Sequence, residues 1–152
     1  MTIRRVTSPH VPEPPPERWS NCLVVDGIAY VSGMTVRGGL GIEKMDEYEQ
    51  AKLIFNKIKG MVEAAGGAMS DVVKVTIYVT NIKNNTKVWK ARAEFFKGNF
   101  PASTLVEVRA LVDDDRVLAA HLADDLLDEV LSLRRGARGL DDVEADGLAA
   151  GE

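Results

Sequence analysis

The most constraining feature of this chain is a change of hydrophobic period. Between Met45 and Ala65 the apolar side chains fall at Tyr48, Ala51, Ile54, Phe55, Ile58, Met61, Val62 and Ala65. Steps of three and four predict a helix with one apolar stripe. Gly66-Gly67 ends it, at a position where the left-handed conformation favours glycine. On both sides the period drops to two. Asp71–Thr80 alternates, with Val73, Val75, Ile77 and Val79 on one face, which predicts a half-buried strand. Upstream, Cys22-Leu23-Val24-Val25 and Ile28-Ala29-Tyr30-Val31-Ser32 flank Asp26-Gly27, a hairpin signal, with Gly33 closing the second strand. A one-faced helix must bury its stripe, and these strands offer the sheet to receive it.

The remaining segments fit that frame. Ile3–Val6 is a short edge strand. Five of the six prolines lie within residues 1–16, and Val11 to Pro16 reads as an extended arm, because proline lacks a donor and fixes φ. Arg37-Gly38-Gly39 begins a loop. A second helix is predicted over Thr86–Lys97, with Val88, Ala91 and Phe95 inward and Phe96 a further candidate, and Gly98-Asn99-Phe100-Pro101 stops it. Thr104–Leu111 reads as a strand, Asp113-Asp114-Asp115 as a turn, and Arg116–Leu122 as an alanine-rich final strand. The expected architecture is α+β: one domain over residues 1–123, with about six strands in a mixed sheet and both helices on one face. Residues 124–152 are expected to be an acidic extension, partly helical over Leu126–Leu133 or disordered.

Charge and composition narrow the function. The 152 residues are 45% hydrophobic and 28% charged, as in an ordinary globular domain. Net charge is −4. From Asp124 onward nine acids face three arginines, leaving the preceding body at +2. Neither part is the basic field that nucleic acid requires. The single cysteine, Cys22, excludes an internal disulfide and a cysteine-based zinc cluster, and reads as a small buried residue. The chain has neither an apolar signal core nor a run of ~20 apolar residues, so a cytoplasmic location without membrane contact is the expectation.

Several linked motifs resemble the RidA/YjgF (Rid) family, which also carries the older labels endoribonuclease L-PSP and translation initiation inhibitor. Ala29-Tyr30-Val31-Ser32-Gly33 after the hairpin resembles its Ser-Gly signature. Ala64-Ala65-Gly66 and Asp71-Val72-Val73-Lys74-Val75-Thr76-Ile77-Tyr78-Val79 are similar to its helix-to-strand passage. Phe95-Phe96, Phe100-Pro101-Ala102 and Val106-Glu107-Val108 resemble its C-terminal signature. The resemblance spans about Ile3 to Ala123. It implies a chorismate-mutase-like fold, a homotrimer, and small-molecule ligands in three clefts between subunits. It further implies hydrolysis of imines or enamines without metal or cofactor.

Four ligand-cleft positions implied by the resemblance depart from the family pattern. The arginine that follows the Pro-Ala step, and would pair with a substrate carboxylate, is Ser103. The water-positioning glutamate of the last strand falls on Ala120; a one-residue slip in register would bring His121 or Ala119 there. The usual cleft tyrosine is Trp19, and an asparagine early in the second helix is Trp89. Ser32 and Gly33 are retained. Arg37 and Arg109 are candidate substitutes for the missing guanidinium, and His121 for the missing acid. Both tryptophans read equally as packing residues. Ser103 reads as a linker rather than a nucleophile, since no histidine lies near it in sequence to activate it. A serine donates one hydrogen bond but cannot neutralise a carboxylate. The expectation is an arginine-lacking Rid protein, acting on imines or enamines other than the standard 2-imino acids. The alternative is a non-catalytic trimer that binds a metabolite or a protein. Ribonuclease action has no histidine pair, metal cluster or basic groove behind it.

Overall fold

A computed structural model of the chain describes residues 1–37, 41–112, 118–124 and 129–130. The elements follow in the order β1 (Ile3–Val6), β2 (Cys22–Val25), β3 (Ile28–Met34), α1 (Glu47–Ala65), β4 (Lys74–Val79), α2 (Asn85–Phe95), β5 (Ala102–Glu107), β6 (Leu118–Asp124) and β7 (Glu129–Val130). The sheet order is β1-β2-β3-β6-β4-β5, with the two-residue β7 attached to β6. β4 and β5 are parallel, which requires a crossover, and α2 supplies it. The other pairings are antiparallel. The fold is α+β.

Local chemistry explains the elements. Asp26 (φ 48°) and Gly27 (φ 88°) are both left-handed, as a two-residue hairpin turn demands. Asp46 caps α1: its Oδ1 accepts from Glu49 N at 3.0 Å, and Glu49 Oε2 accepts from Asp46 N at 3.0 Å. This reciprocal box satisfies two otherwise unpaired amides. Gly66 (φ 96°) ends the helix. The α1 stripe is buried as its period predicts, from Ala51 through Ala65. Phe55 meets Phe96 edge-on (centroids 5.8 Å, 89°) and tilts against Phe95 (5.4 Å). These ring contacts tie α1 to the end of α2. The proline arm is less detached than its composition suggests: Val6, Ser8 and Val11 are buried. It crosses α1 at Gly60, where an added Cβ would come within 3.2 Å of His10 Cβ.

Several sequence expectations are corrected. Gly33 does not close β3. The strand continues to Met34, and its register with β6 slips between Val31, opposite Leu122, and Met34, opposite Ala120. Three steps on β3 answer two on β6, so Ser32-Gly33 forms a bulge, a feature that re-aims side chains. Val73 is exposed and Val72 buried instead, because the turn Met69–Asp71 precedes β4 and Asp71 Oδ2 accepts from Ala68 N at 2.8 Å. β5 begins at Ala102 and stops at Glu107 rather than spanning Thr104–Leu111. It is framed by β4 through Ala102 N to Val73 O (2.9 Å) and Val108 N to Val79 O (2.8 Å). β6 runs from Leu118 to Asp124, two residues past Leu122, where the final strand is expected to end. Glu129–Val130 is a strand paired with Ala123–Asp124, and the rest of Leu126–Leu133, where a helical turn is expected, lies outside the described residues. Gly38-Gly39, Asp113-Asp114-Asp115 and most of the acidic extension lie outside the described residues.

A polar clamp joins the helices. Glu47, 7% exposed, accepts from Lys87 Nζ at 3.0 Å and from Asn84 Nδ2. Lys87 Nζ also lies 3.5 Å from Asp46 Oδ2. Burial pushes the Glu47 carboxyl up, but Lys87, the backbone and Asn84 outweigh it and hold its pKa below the ordinary carboxylate range.

Two outcomes follow for stability. Phe55→Ala, which empties a fully buried ring position, is expected to cost about 3–5 kcal/mol in urea unfolding. A loss under 1 kcal/mol would mean the aromatic junction is dispensable. A carboxyl whose pKa is depressed on folding stabilises above its unfolded pKa, and that contribution is lost as pH falls through the folded value. Glu47→Gln should therefore be less stable than wild type at neutral pH and lose less on acidification to about pH 3. Equal acid losses in the two proteins would contradict the clamp.

Candidate functional site

The residues at family cleft positions fall into two groups on different parts of the sheet. The first surrounds the β3 bulge. Ser32 N donates to Asn21 O at 2.9 Å and Ser32 Oγ to Ser20 O at 2.6 Å, which ties β3 to the segment before β2. Asn21 is buried: its Nδ2 donates to Pro12 O (3.0 Å) and Glu13 Oε1 (3.3 Å), and its Oδ1 accepts from Trp19 Nε1 (3.3 Å). Trp19 is thus held by its indole nitrogen while 47% of its surface stays open. Gly33, which follows Ser32 in the chain, is exposed. The structure brings Trp19, Ser32 and Gly33 together.

The second group lies where α2 meets the edge strand β5. Ser103 is exposed, and its Oγ accepts from Arg92 Nη1 at 2.7 Å. The Arg92 guanidinium also stands over the Phe100 ring, 5.9 Å from its centroid. Arg92 Nε is out of solvent and has no hydrogen-bond partner among the described residues. Burial lowers the Arg92 pKa from its ordinary value. Trp89 precedes Arg92 by three residues on the same helix face and is 46% exposed. Neither tryptophan is a core packing residue of the single chain.

The guanidinium that meets Ser103 is therefore Arg92, a residue that sequence reasoning passed over. Arg37 is exposed, and its carbonyl accepts from Lys57 Nζ at 2.7 Å. Arg109 is exposed, two residues past β5. The Trp89-Arg92 step was visible as an i, i+3 pair. The contact with Ser103 was not, because it depends on how the crossover packs α2 against β5. Ala120 sits in a row of the sheet that runs Leu105, Ile77, Ala120, Met34. That row ends at the β3 bulge. His121 pairs with Thr76.

Three other residues are accounted for structurally. Glu107 Oε2 accepts from Ile82 N at 2.7 Å and fixes the turn before α2. Burial pushes the Cys22 thiol up to about 11, far from a nucleophile's range. His10 is exposed on the arm. Among the described residues no group of three or more His, Cys, Asp or Glu is placed to hold a metal ion. No helix among them is long and apolar enough to cross a membrane.

Comparison with known proteins gives this geometry its class. Residues 11–118 match the endoribonuclease L-PSP family. A protein named 2-iminobutanoate/2-iminopropanoate deaminase from Dermatophagoides farinae is 34% identical over 122 residues, covering 77% of this chain and 93% of its own. A crystal structure of a protein of unknown function from Pseudomonas aeruginosa superimposes with a TM-score of 0.74 at 35% identity, covering 79% of this chain and 89% of its own. A Rid-family protein of unknown function from Yersinia pestis gives a TM-score of 0.71 at 28% identity, covering 79% and 96%. The chain belongs to the RidA/YjgF family, whose family description is endoribonuclease L-PSP.

The burial of Cys22 has a direct readout. The folded protein should not react with a disulfide-exchange reagent at neutral pH, and one thiol should appear on unfolding. Rapid reaction of the native protein would show that β2 opens far below the global unfolding barrier.

Proposed function

We propose that this protein is a hydrolase of the Rid type that adds water to the C=N bond of an imine, or of the imine tautomer of an enamine, in clefts between the subunits of a homotrimer. The reaction needs no redox partner. Water adds to the imine carbon, the carbinolamine collapses, and a carbonyl product and ammonia leave. The family relationship to a named imine deaminase across 93% of that protein's length supports the chemistry.

The observation that carries the assembly is the separation of the two residue groups. β3 and β5 lie three strand steps apart in the sheet, about 14 Å. A small substrate cannot touch Trp19 and Ser32 at one end and Ser103 at the other within one protomer. A neighbouring copy placed against the β5 edge closes that gap. Exposed Val73 and Val106 near that edge give such a copy an apolar surface to cover.

Ser103 in place of the family arginine and Ala120 in place of the glutamate set this chain apart from members that take small 2-imino acids. We place it in the arginine-lacking subgroup, with a substrate other than the standard ones. A cytoplasmic setting suits an unstable metabolite that must be hydrolysed where it forms.

The test is ammonia release above the buffer rate from freshly generated imines. The panel runs from 2-iminopropanoate and 2-iminobutanoate to conjugated and aryl-bearing imino acids. Turnover is expected for the larger members, with the two small ones slower. No turnover across the panel would leave a non-catalytic binding trimer as the better account. Sedimentation as a monomer at micromolar concentration would remove the inter-subunit cleft.

A further inference from the structure

The Arg92 guanidinium is in an unusual state for a surface-helix arginine. Arg5 pairs with Glu13 at 2.7 Å, and Arg4 donates to a backbone carbonyl. Arg92 has one hydrogen-bond partner among the described residues, the neutral Ser103 hydroxyl. One donor, Nε, is buried and unpaired. An arginine carries five donors and a permanent charge. Leaving one donor dry and unpaired is unfavourable, and nothing described near it supplies the compensating negative charge. The side chain is nonetheless held in place from two sides, by the Ser103 hydroxyl and by the face of Phe100. Such an arrangement is pre-organised for an anion that brings its own oxygens. A carboxylate fits, because its two oxygens match two guanidinium donors.

The flanking residues specify the rest of the ligand. Phe100 is half exposed on one side of the guanidinium. Trp89, one helical turn earlier, is similarly open. One aromatic face against a fixed cation, with a second open aromatic side chain on the same helix face, favours a flat, conjugated group attached directly to the carboxylate. An aliphatic acid of two or three carbons would satisfy the charge and leave both rings uncovered.

We propose that Arg92, positioned by Ser103, is a carboxylate anchor for planar, conjugated carboxylates, with Phe100 and Trp89 as the stacking surfaces. The inference deepens the hydrolase reading by naming the residue and the substrate class. Its binding arm does not depend on turnover. The sequence lacks an arginine at position 103, and α2 brings one to the same hydroxyl from another element.

The test is tryptophan-fluorescence titration of the full chain with benzoate, with benzamide as the neutral isostere and acetate as the small carboxylate. Benzoate is expected to bind at least about tenfold more tightly than either control. Arg92→Gln should weaken benzoate by about 10- to 100-fold, the loss of one charge-assisted interaction, and leave benzamide unchanged. Arg92→Lys should retain part of the affinity. Ser103→Ala should cost about 2- to 10-fold through the freed guanidinium. Thermal melts of each variant separate unfolding from a lost anchor. Equal binding of benzoate and benzamide, or unaltered benzoate binding in a folded Arg92→Gln protein, overturns the proposal. The two readings fail separately. Arg92-dependent benzoate binding without imine turnover keeps the anchor and removes the hydrolase. Imine turnover whose KM is unmoved by Arg92→Gln keeps the hydrolase and removes the anchor.

Discussion

Burial of the α1 stripe is the constraint on which the other elements depend. Its apolar residues, from Ala51 to Ala65, are closed off from water by β1, β2, β3, β6 and α2 together. Each fully buried side chain of Phe, Ile or Met size contributes roughly 1.5–3 kcal/mol against its exposed state. No single hairpin could cover that stripe. The sheet that does so is completed by β6, which enters between β3 and β4. The strand that joins the two halves of the sheet therefore comes from residues 118–124, after every other long element. Pairing across such sequence distances is entropically expensive.

The placement of the candidate site follows from that topology. β5 lies at the sheet edge because its only described partner is β4. Its length mirrors β4, and α2 returns the chain to it, so the last turn of α2 stands beside the first residues of β5. Arg92 reaches Ser103 for that reason, across eleven positions in sequence. In the interior of the sheet, three strand steps from β5, the bulge at Ser32-Gly33 lies against the centre of β6. The two groups are rigidly placed but mutually distant. A site that needs both has to be shared between copies, whereas one that needs only the Arg92 group is complete in each.

Charge elsewhere does structural rather than chemical service. Glu47 and Lys87 tie the start of α1 to α2, and Glu94 pairs with Lys52 on the outer helix faces. Exposed pairs of this second kind add little. The guanidinium of Arg92 differs because it is partly dry, held, and not neutralised. Perturbed charged groups without a described acidic partner are where ligand chemistry is to be looked for.

Much of the fold was legible in the residues. The hairpin followed from Asp26-Gly27, since few pairs accept two left-handed positions. The C-terminal limit of α1 followed from Gly66, its buried face from its period, and the class from the order of periods; its start at Glu47 rather than Met45 is set by the Asp46 cap. The motif set led to the family. The sequence could not show that Gly33 lies inside a bulge, that Val72 rather than Val73 turns inward, or that Glu129–Val130 pairs with β6. Those depend on register against a partner strand, which local periodicity does not contain. Retained and missing motif residues were equally readable: Ser32 and Gly33 present, Ser103 in place of an arginine. What stands beside Ser103 was not readable. Sequence determined which side chains were available and where the chain would turn. Only the tertiary structure decided that an arginine on α2 and a serine on β5 would meet, because a crossover fixes that distance through packing and not through spacing along the chain.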